Sequence, residues 1–254
     1  MSDYDRYGNA RAGVVRSDAA AIDQGLRAYM IGVYNYMALG LGLTGVVAYV
    51  AFLLADVHFA GGHPVSASAF GQAIYYSPLR WVVIFAPLAL VFAISAGRNS
   101  MSVSTTRSIF LAFAALIGLS LSAVFVVFTQ ASIARVFFET AAAFGALSLY
   151  GYTTRRSLSA MGSFMIMGLF GLIIASVVNL FLQSSGLQWA LSIVGIGIFA
   201  GLTAWDTQAI KENYYAADGH EVMEKKSIYG ALRLYLDFIN MFQYLLFLFG
   251  DRRS

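Results

Sequence analysis

Three carboxylates interrupt the apolar stretches of this 254-residue chain: Glu139, Asp206 and Asp237. An Asp at the middle of a membrane helix costs about 2.5 to 3.5 kcal/mol to insert, so its presence there points to function. Helix rise places Asp206 roughly 6 Å in from the end of an apolar segment that closes at Ile210. Asp237 falls roughly 10 Å in from the same side of the next segment, which opens at Gly230. The two carboxyl groups face each other at one level if those helices are neighbours. Two carboxylates in a poorly hydrated site cannot both ionise cheaply, so they share a proton and titrate as a pair. Such a pair serves as a proton-operated latch, a cation ligand or an acid–base couple. The competing reading is structural: Asp206 reaches the membrane interface and Asp237 pairs with Arg233.

Other side chains are weighed around that pair. Arg233, Asp237, Asn240 and Tyr244 recur at i, i+4, i+7 and i+11, on one helical face that Gln243 widens. A lipid-facing helix would not carry this stripe, so the segment is central to a bundle or lines a polar path with Asn240 and Tyr244 along it. Glu139 starts an earlier segment on the opposite side, as an outer cation ligand or an interfacial carboxylate. Arg98 ends another segment at the level of the aspartates, where a basic flank is also ordinary. His58 and His63 sit in a Gly-rich loop without a metal-ligand pattern. Asn35, Gln130 and Asn179 read as interhelical hydrogen-bonders. The chain has no cysteine, which excludes disulfides and thiolate chemistry.

The elements that position these groups follow from composition. The chain is 59% hydrophobic and 11% charged, where a soluble domain carries about 25% charged residues. Seven uncharged or nearly uncharged runs follow a polar amino-terminal tail (1–28) and define a seven-helix transmembrane domain (29–250). They are Tyr29 to Ala55, Trp81 to Gly97, Ser108 to Ala134, Val136 to Tyr152, Leu158 to Leu182, Trp189 to Ile210 and Gly230 to Phe249. Each spans a hydrocarbon core of roughly 30 Å, and the fold class is all-α integral membrane. Arg135 marks a tight hairpin between the third and fourth runs, and Pro87 is expected to kink the second. Ala114/Gly118, Ala141/Gly145 and Gly197/Gly201 are candidate close helix contacts. No cleavable signal peptide precedes the first run. With the amino terminus cytoplasmic, twelve Lys/Arg fall inside and four outside. The net charge of +3 therefore describes membrane topology rather than a nucleic-acid partner.

Two enzyme or pigment classes are tested by their own requirements. A retinal Schiff base needs a Lys within a span, and Lys211, Lys225 and Lys226 all lie in one connecting segment. A presenilin-type aspartyl protease carries glycines before its second Asp. Here that tetrad is Leu234-Tyr235-Leu236-Asp237, and no proline follows Pro87. The acid pair keeps intramembrane proteolysis as an alternative, but the expectation is no enzyme.

Two stretches carry a family resemblance: Gly201-Leu-Thr-Ala-Trp-Asp-Thr-Gln-Ala-Ile210 and Ala231-Leu-Arg-Leu-Tyr-Leu-Asp-Phe-Ile-Asn-Met-Phe242. They resemble the Bax inhibitor-1 family, in a form like its bacterial members, over about residues 25 to 250. Trp205 stands where that family usually has Tyr. The resemblance implies seven helices with the last wrapped by the other six. It also implies a pH-sensitive calcium leak in the bacterial inner membrane, with Asp206 and Asp237 as proton sensor and possible calcium ligands. Arg98 would be the latch, and Glu139 matches a fourth-span acid. The expected partners are the bilayer and calcium or another cation as permeant ion, with no cofactor. The amino terminus would be cytoplasmic and the carboxyl terminus periplasmic. The segment Thr207 to Tyr229 reads as a loop longer than in shorter relatives. A regulatory membrane protein acting on a membrane protease or stress response is the alternative from another class.

Overall fold

The computed structural model describes residues 3–60, 63–97 and 101–253, with side chains over 23–60, 63–92 and 101–253. Nine helices are found among them: α1 Asp3–Ala55, α2 Ala69–Gly71, α3 Leu79–Gly97, α4 Val103–Leu121, α5 Val124–Val127, α6 Gln130–Thr153, α7 Ser159–Leu182, α8 Ser185–Glu212 and α9 His220–Phe249. Six are long and apolar enough to cross a membrane, counting α1 from Asp23 and taking α4 with α5. A seventh is added if the pair Ala69–Tyr76 and Leu79–Phe92, bent by 64°, is taken as one span. Between α1 and α2 lies a short antiparallel hairpin, β1 His58–Ala60 and β2 His63–Ser66.

Several expected boundaries move, each for a local reason. Helix α3 runs unbroken through Pro87, and the 64° bend falls at Ser77–Pro78. There proline has no N–H to continue the preceding π-helical turn, Gln72–Tyr76. The turn before α6 is at Phe128–Thr129, not at Arg135, which lies within α6. The Thr129 hydroxyl caps α6 by accepting from Ser132 N–H at 3.3 Å. The extended Phe128–Thr129 backbone is satisfied by the segment after α9: Thr129 N–H donates to Asp251 O and Arg253 N–H to Val127 O, each at 3.0 Å. The expected loop from Thr207 to Tyr229 is mostly helix, because α8 continues to Glu212 and α9 begins at His220. Charged residues there extend both helices past the apolar zone.

The helix ends sort into two levels. At the basic end, the Tyr29 and Tyr214 rings lie 5.8 Å apart and Lys211 Nζ donates to Tyr152 O at 2.8 Å. Arg107 pairs with Glu224, which also accepts from the Tyr36 hydroxyl at 2.6 Å. At the opposite end, Arg253 lies over the Phe52 and Phe59 rings at 5.6 and 4.6 Å. Arg135 donates to Phe249 O there at 2.9 Å.

Helix α9 packs on α8, α1, α6 and α4. Half (50%) of an 18-residue apolar stretch of it is buried, against 6% for α7, which turns nearly all of its surface outward. Lipid tails are as apolar as side chains, so close packing and interhelical hydrogen bonds hold such helices together. Tyr235 is fully buried, its ring edge-on to Phe110 and Phe113, and its hydroxyl shares a 2.7 Å hydrogen bond with Thr44. Thr44 in turn donates to Ala114 O at 2.8 Å, tying α1 to α4 and α9.

Glycines set the closest approaches. A Cβ on Gly118 would come within 2.6 Å of Thr44 O, and one on Gly151 within 2.1 Å of Ala204 O. Of the expected small-residue pairs, Ala114/Gly118 makes such a contact and Gly201 receives Met165, whereas Gly145 and Gly197 face open space.

Candidate functional site

Asp206 lies in the last two turns of α8, seated by the α6–α8 contact at Gly151 and Ala204. Thr203 and Thr207 donate to the carbonyls of Phe199 and Thr203, at 2.7 and 2.8 Å, so both hydroxyls stay bonded within the buried helix. Asp237 projects from the middle of α9. The two residues are 6% and 4% exposed, and their carboxyl groups meet within hydrogen-bonding reach. The Arg233 guanidinium bonds Asp206 Oδ1 and lies 5.2 Å from the Trp205 ring centroid. Trp205 fills the notch left by Gly162 on α7. Asp237 Oδ2 is buried without a hydrogen-bond partner among the described residues. Arg233 therefore sits on Asp206, where the structural reading of the sequence had paired it with Asp237.

The residues after Asp206 fasten the site to its neighbours. Thr207 Oγ1 and Ser148 Oγ are 3.0 Å apart, and Ser148 Oγ and Tyr34 Oη 2.6 Å apart. Thr207 gives its proton to the Thr203 carbonyl, so the order is fixed: Tyr34 donates to Ser148 and Ser148 to Thr207. This chain ends on a carbonyl and clamps α1, α6 and α8 together. Gln208 accepts from Leu158 N–H at 2.7 Å and donates to Arg156 O at 2.9 Å, holding the α6–α7 connection. Sequence reasoning missed Tyr34, Ser148, Thr207 and Gln208. The available signal was the run of hydrogen-bonding residues around Asp206 in an otherwise apolar helix.

The other expected site residues do not gather at the pair. Asn240 donates to Leu236 O of its own helix at 2.8 Å. Tyr244 stacks on Phe199 at 6.0 Å and covers Gly195. Glu139 is half exposed, 3.8 Å from Arg135, which also reaches Asp251 at 3.3 Å. That network is level with Phe249, roughly 18 Å along α9 from Asp237. Arg98 lies outside the described residues. Asn179 bonds Gln188 at 3.1 Å and so joins α7 to α8, as expected; Asn35 is exposed. His58 contacts Asp56 at 3.5 Å in the exposed hairpin region.

Among the described residues no three His, Cys, Asp or Glu come together as metal ligands. Calcium takes 6 to 8 oxygens. Asp206 and Asp237 offer four, one of them engaged by Arg233, so they do not suit a resident ion and could only touch a passing one.

A bundle of long apolar helices with an acid pair buried between α8 and α9, and the Arg233 guanidinium bonded to it, defines a multispanning helical membrane protein with a buried ionisable centre. Residues 26–254 match the family model described as inhibitor of apoptosis-promoting Bax1, and the chain belongs to that family. It is 44% identical over 231 residues to the inner membrane protein YbhL of Escherichia coli (strain K12), covering 90% of this chain and 94% of the relative. It is 49% identical over 232 residues to uncharacterized protein RP147 of Rickettsia prowazekii (strain Madrid E), covering 91% and 93%. A Caulobacter vibrioides relative is 41% identical over 257 residues and matches end to end, 100% of both chains.

Proposed function

We propose that this protein is a proton-regulated leak channel for calcium or a similar cation in the bacterial inner membrane. In this reading it has seven spans, the bent pair ahead of α4 counting as one, with α9 wrapped by the other six. The amino terminus is cytoplasmic and the carboxyl terminus periplasmic, in line with the Lys/Arg distribution. The inner membrane is supported by the name of the E. coli relative.

One observation carries the proposal: Asp206 and Asp237 meet at a buried site where, among the described residues, one guanidinium, the half-exposed Arg233, pairs with them. In this reading Arg233 balances one carboxylate and a shared proton balances the other. Losing it places a second negative charge beside the first and drives α8 and α9 apart. Each pKa unit of difference between latched and open forms supplies about 1.4 kcal/mol, enough to move a two-state equilibrium about tenfold. Glu139 draws cations at the outer end, and Tyr244 and Asn240 flank the route inward along α9. No enzymatic role is proposed, because Arg233 occupies the carboxylate that an acid–base couple would present to water.

Calcium flux into proteoliposomes of the full chain tests this between about pH 5 and about pH 8. Flux should depend on pH, and Asp237→Asn should abolish that dependence. Absent flux at every pH, or an unaltered response in Asp237→Asn, refutes the channel and leaves the regulatory alternative.

A further inference from the structure

Helices α1 and α6 flank α9 without closing on each other over most of their length. At the basic end the seam is a cleft of about 420 Å³ whose walls include Arg27, Tyr34, Phe144, Gly145 and Tyr152. One turn further along α1, beyond the Tyr34–Ser148 hydrogen bond, lies an apolar cavity of about 660 Å³ that reaches Phe238 and Ile239 of α9. A Cβ built on Gly42, Gly45 or Gly145 meets nothing within 4 Å, so the seam has room beyond its own side chains.

A carbon-lined space inside a bilayer suits neither water, which needs two to four polar partners, nor a void at protein packing density. A flexible acyl chain fills it. The mouth has the complementary charge. Arg27 is exposed and has no ion pair among the described residues, and Lys211 Nζ lies 5.1 Å from the Tyr152 ring centroid. Asp23, one turn earlier on α1, is the acid on that helix nearest the mouth. One leaflet of hydrocarbon is half of roughly 30 Å, which along α1 runs from Arg27 to about Met37, where the larger cavity begins.

We propose that the α1–α6 seam binds one anionic phospholipid, its phosphate on the Arg27 guanidinium and one acyl chain laid past Gly145 toward the larger cavity. This site is separate from the acid pair and stands whether or not the protein conducts ions.

Native mass spectrometry of the full chain in detergent tests the site, with phosphatidylglycerol or phosphatidylcholine of the same acyl composition added. One phosphatidylglycerol should be retained, about fivefold in preference to phosphatidylcholine. Arg27→Gln should abolish the preference, and Gly145→Phe should displace both lipids. Gly197→Phe, whose side chain also enters open space but on α8, should retain lipid as the unchanged protein does. Equal retention of both lipids, or undiminished retention by Gly145→Phe, overturns the proposal. If Gly145→Phe does not fold, the exposed Arg27→Gln variant decides alone, and an unaltered preference overturns it. A dimer that Gly145→Phe converts to monomer assigns the seam to a second copy and equally overturns it.

Discussion

Gly151 offers the sharpest test of how the acid pair is held. Its Cα faces the backbone of Ala204, two residues before Asp206, and an alanine Cβ there would lie 2.1 Å from Ala204 O and 2.9 Å from its carbonyl carbon. Both obstacles are backbone, so no side-chain rotation relieves the clash. Reaching ordinary contact forces α6 and α8 apart by about 1 Å or more. Ser148 lies one turn before Gly151, so its 3.0 Å hydrogen bond to Thr207 lengthens to about 4 Å and is lost. Overpacking costs about 1–3 kcal/mol and the hydrogen bond about 1 kcal/mol more, so Gly151→Ala should destabilise the protein by about 2–4 kcal/mol. For a chain of this size that lowers the melting temperature by about 5–15 °C. Thermal unfolding of the purified protein in detergent reads the shift, beside Gly197→Ala, whose Cβ meets nothing within 4 Å. The control should stay within about 0.5 kcal/mol of the unchanged protein. If Gly151→Ala melts with the control, close α6–α8 packing does not position Asp206 and the reasoning fails.

Three further outcomes follow from buried polar contacts. Thr44→Val strips the Tyr235 hydroxyl of its partner and should cost about 1–3 kcal/mol, while the double variant with Tyr235→Phe should cost less than the two single changes together; additive melting shifts in that cycle would contradict the pairing. Gln208→Leu leaves the Leu158 N–H and the Arg156 carbonyl unpaired, so hydrogen exchange over 156–160 should accelerate and stability fall by about 2–4 kcal/mol; unchanged exchange there argues against the tether. Arg233→Gln removes the cation from Asp206, whose side chain is 8% exposed; because that of Arg233 is 40% exposed, the loss should be about 1–3 kcal/mol, less than for a fully buried pair. Adding Asp206→Asn should recover most of that loss in the same melting assay, and no recovery would refute the pairing.

The acid pair was legible because charge is scarce in apolar segments and helix rise alone put Asp206 and Asp237 at one depth. Their approach in space bears that depth out. The stripe on α9 set Arg233 beside Asp237, but its partner is Asp206 on α8, since periodicity on one helix says nothing of the face that a neighbour presents. Phe128–Thr129 escaped notice because neither residue is charged, glycine or proline, and hydropathy runs smoothly across the turn. Helical residues from 220 to 229 read as loop because a polarity profile detects the lipid boundary rather than the end of a helix. Glycine spacing was a poor guide to packing: Gly145 belonged to a matching pair yet faces open space, while Gly151 belonged to none and makes the tightest approach in the acid site.

The position of α9 also sets a clock for biosynthesis. Asp206 leaves the ribosome before Arg233 and Asp237, which follow about 30 residues later. At about 5–20 residues per second the delay is a few seconds. During it α8 must enter the bilayer with its carboxyl group lacking the guanidinium that holds it in the finished fold. The insertion machinery therefore handles a nascent chain in which α9, made after α8, completes the acid site. A ribosome stalled between these two segments would leave Asp206 in the membrane without the guanidinium that pairs with it.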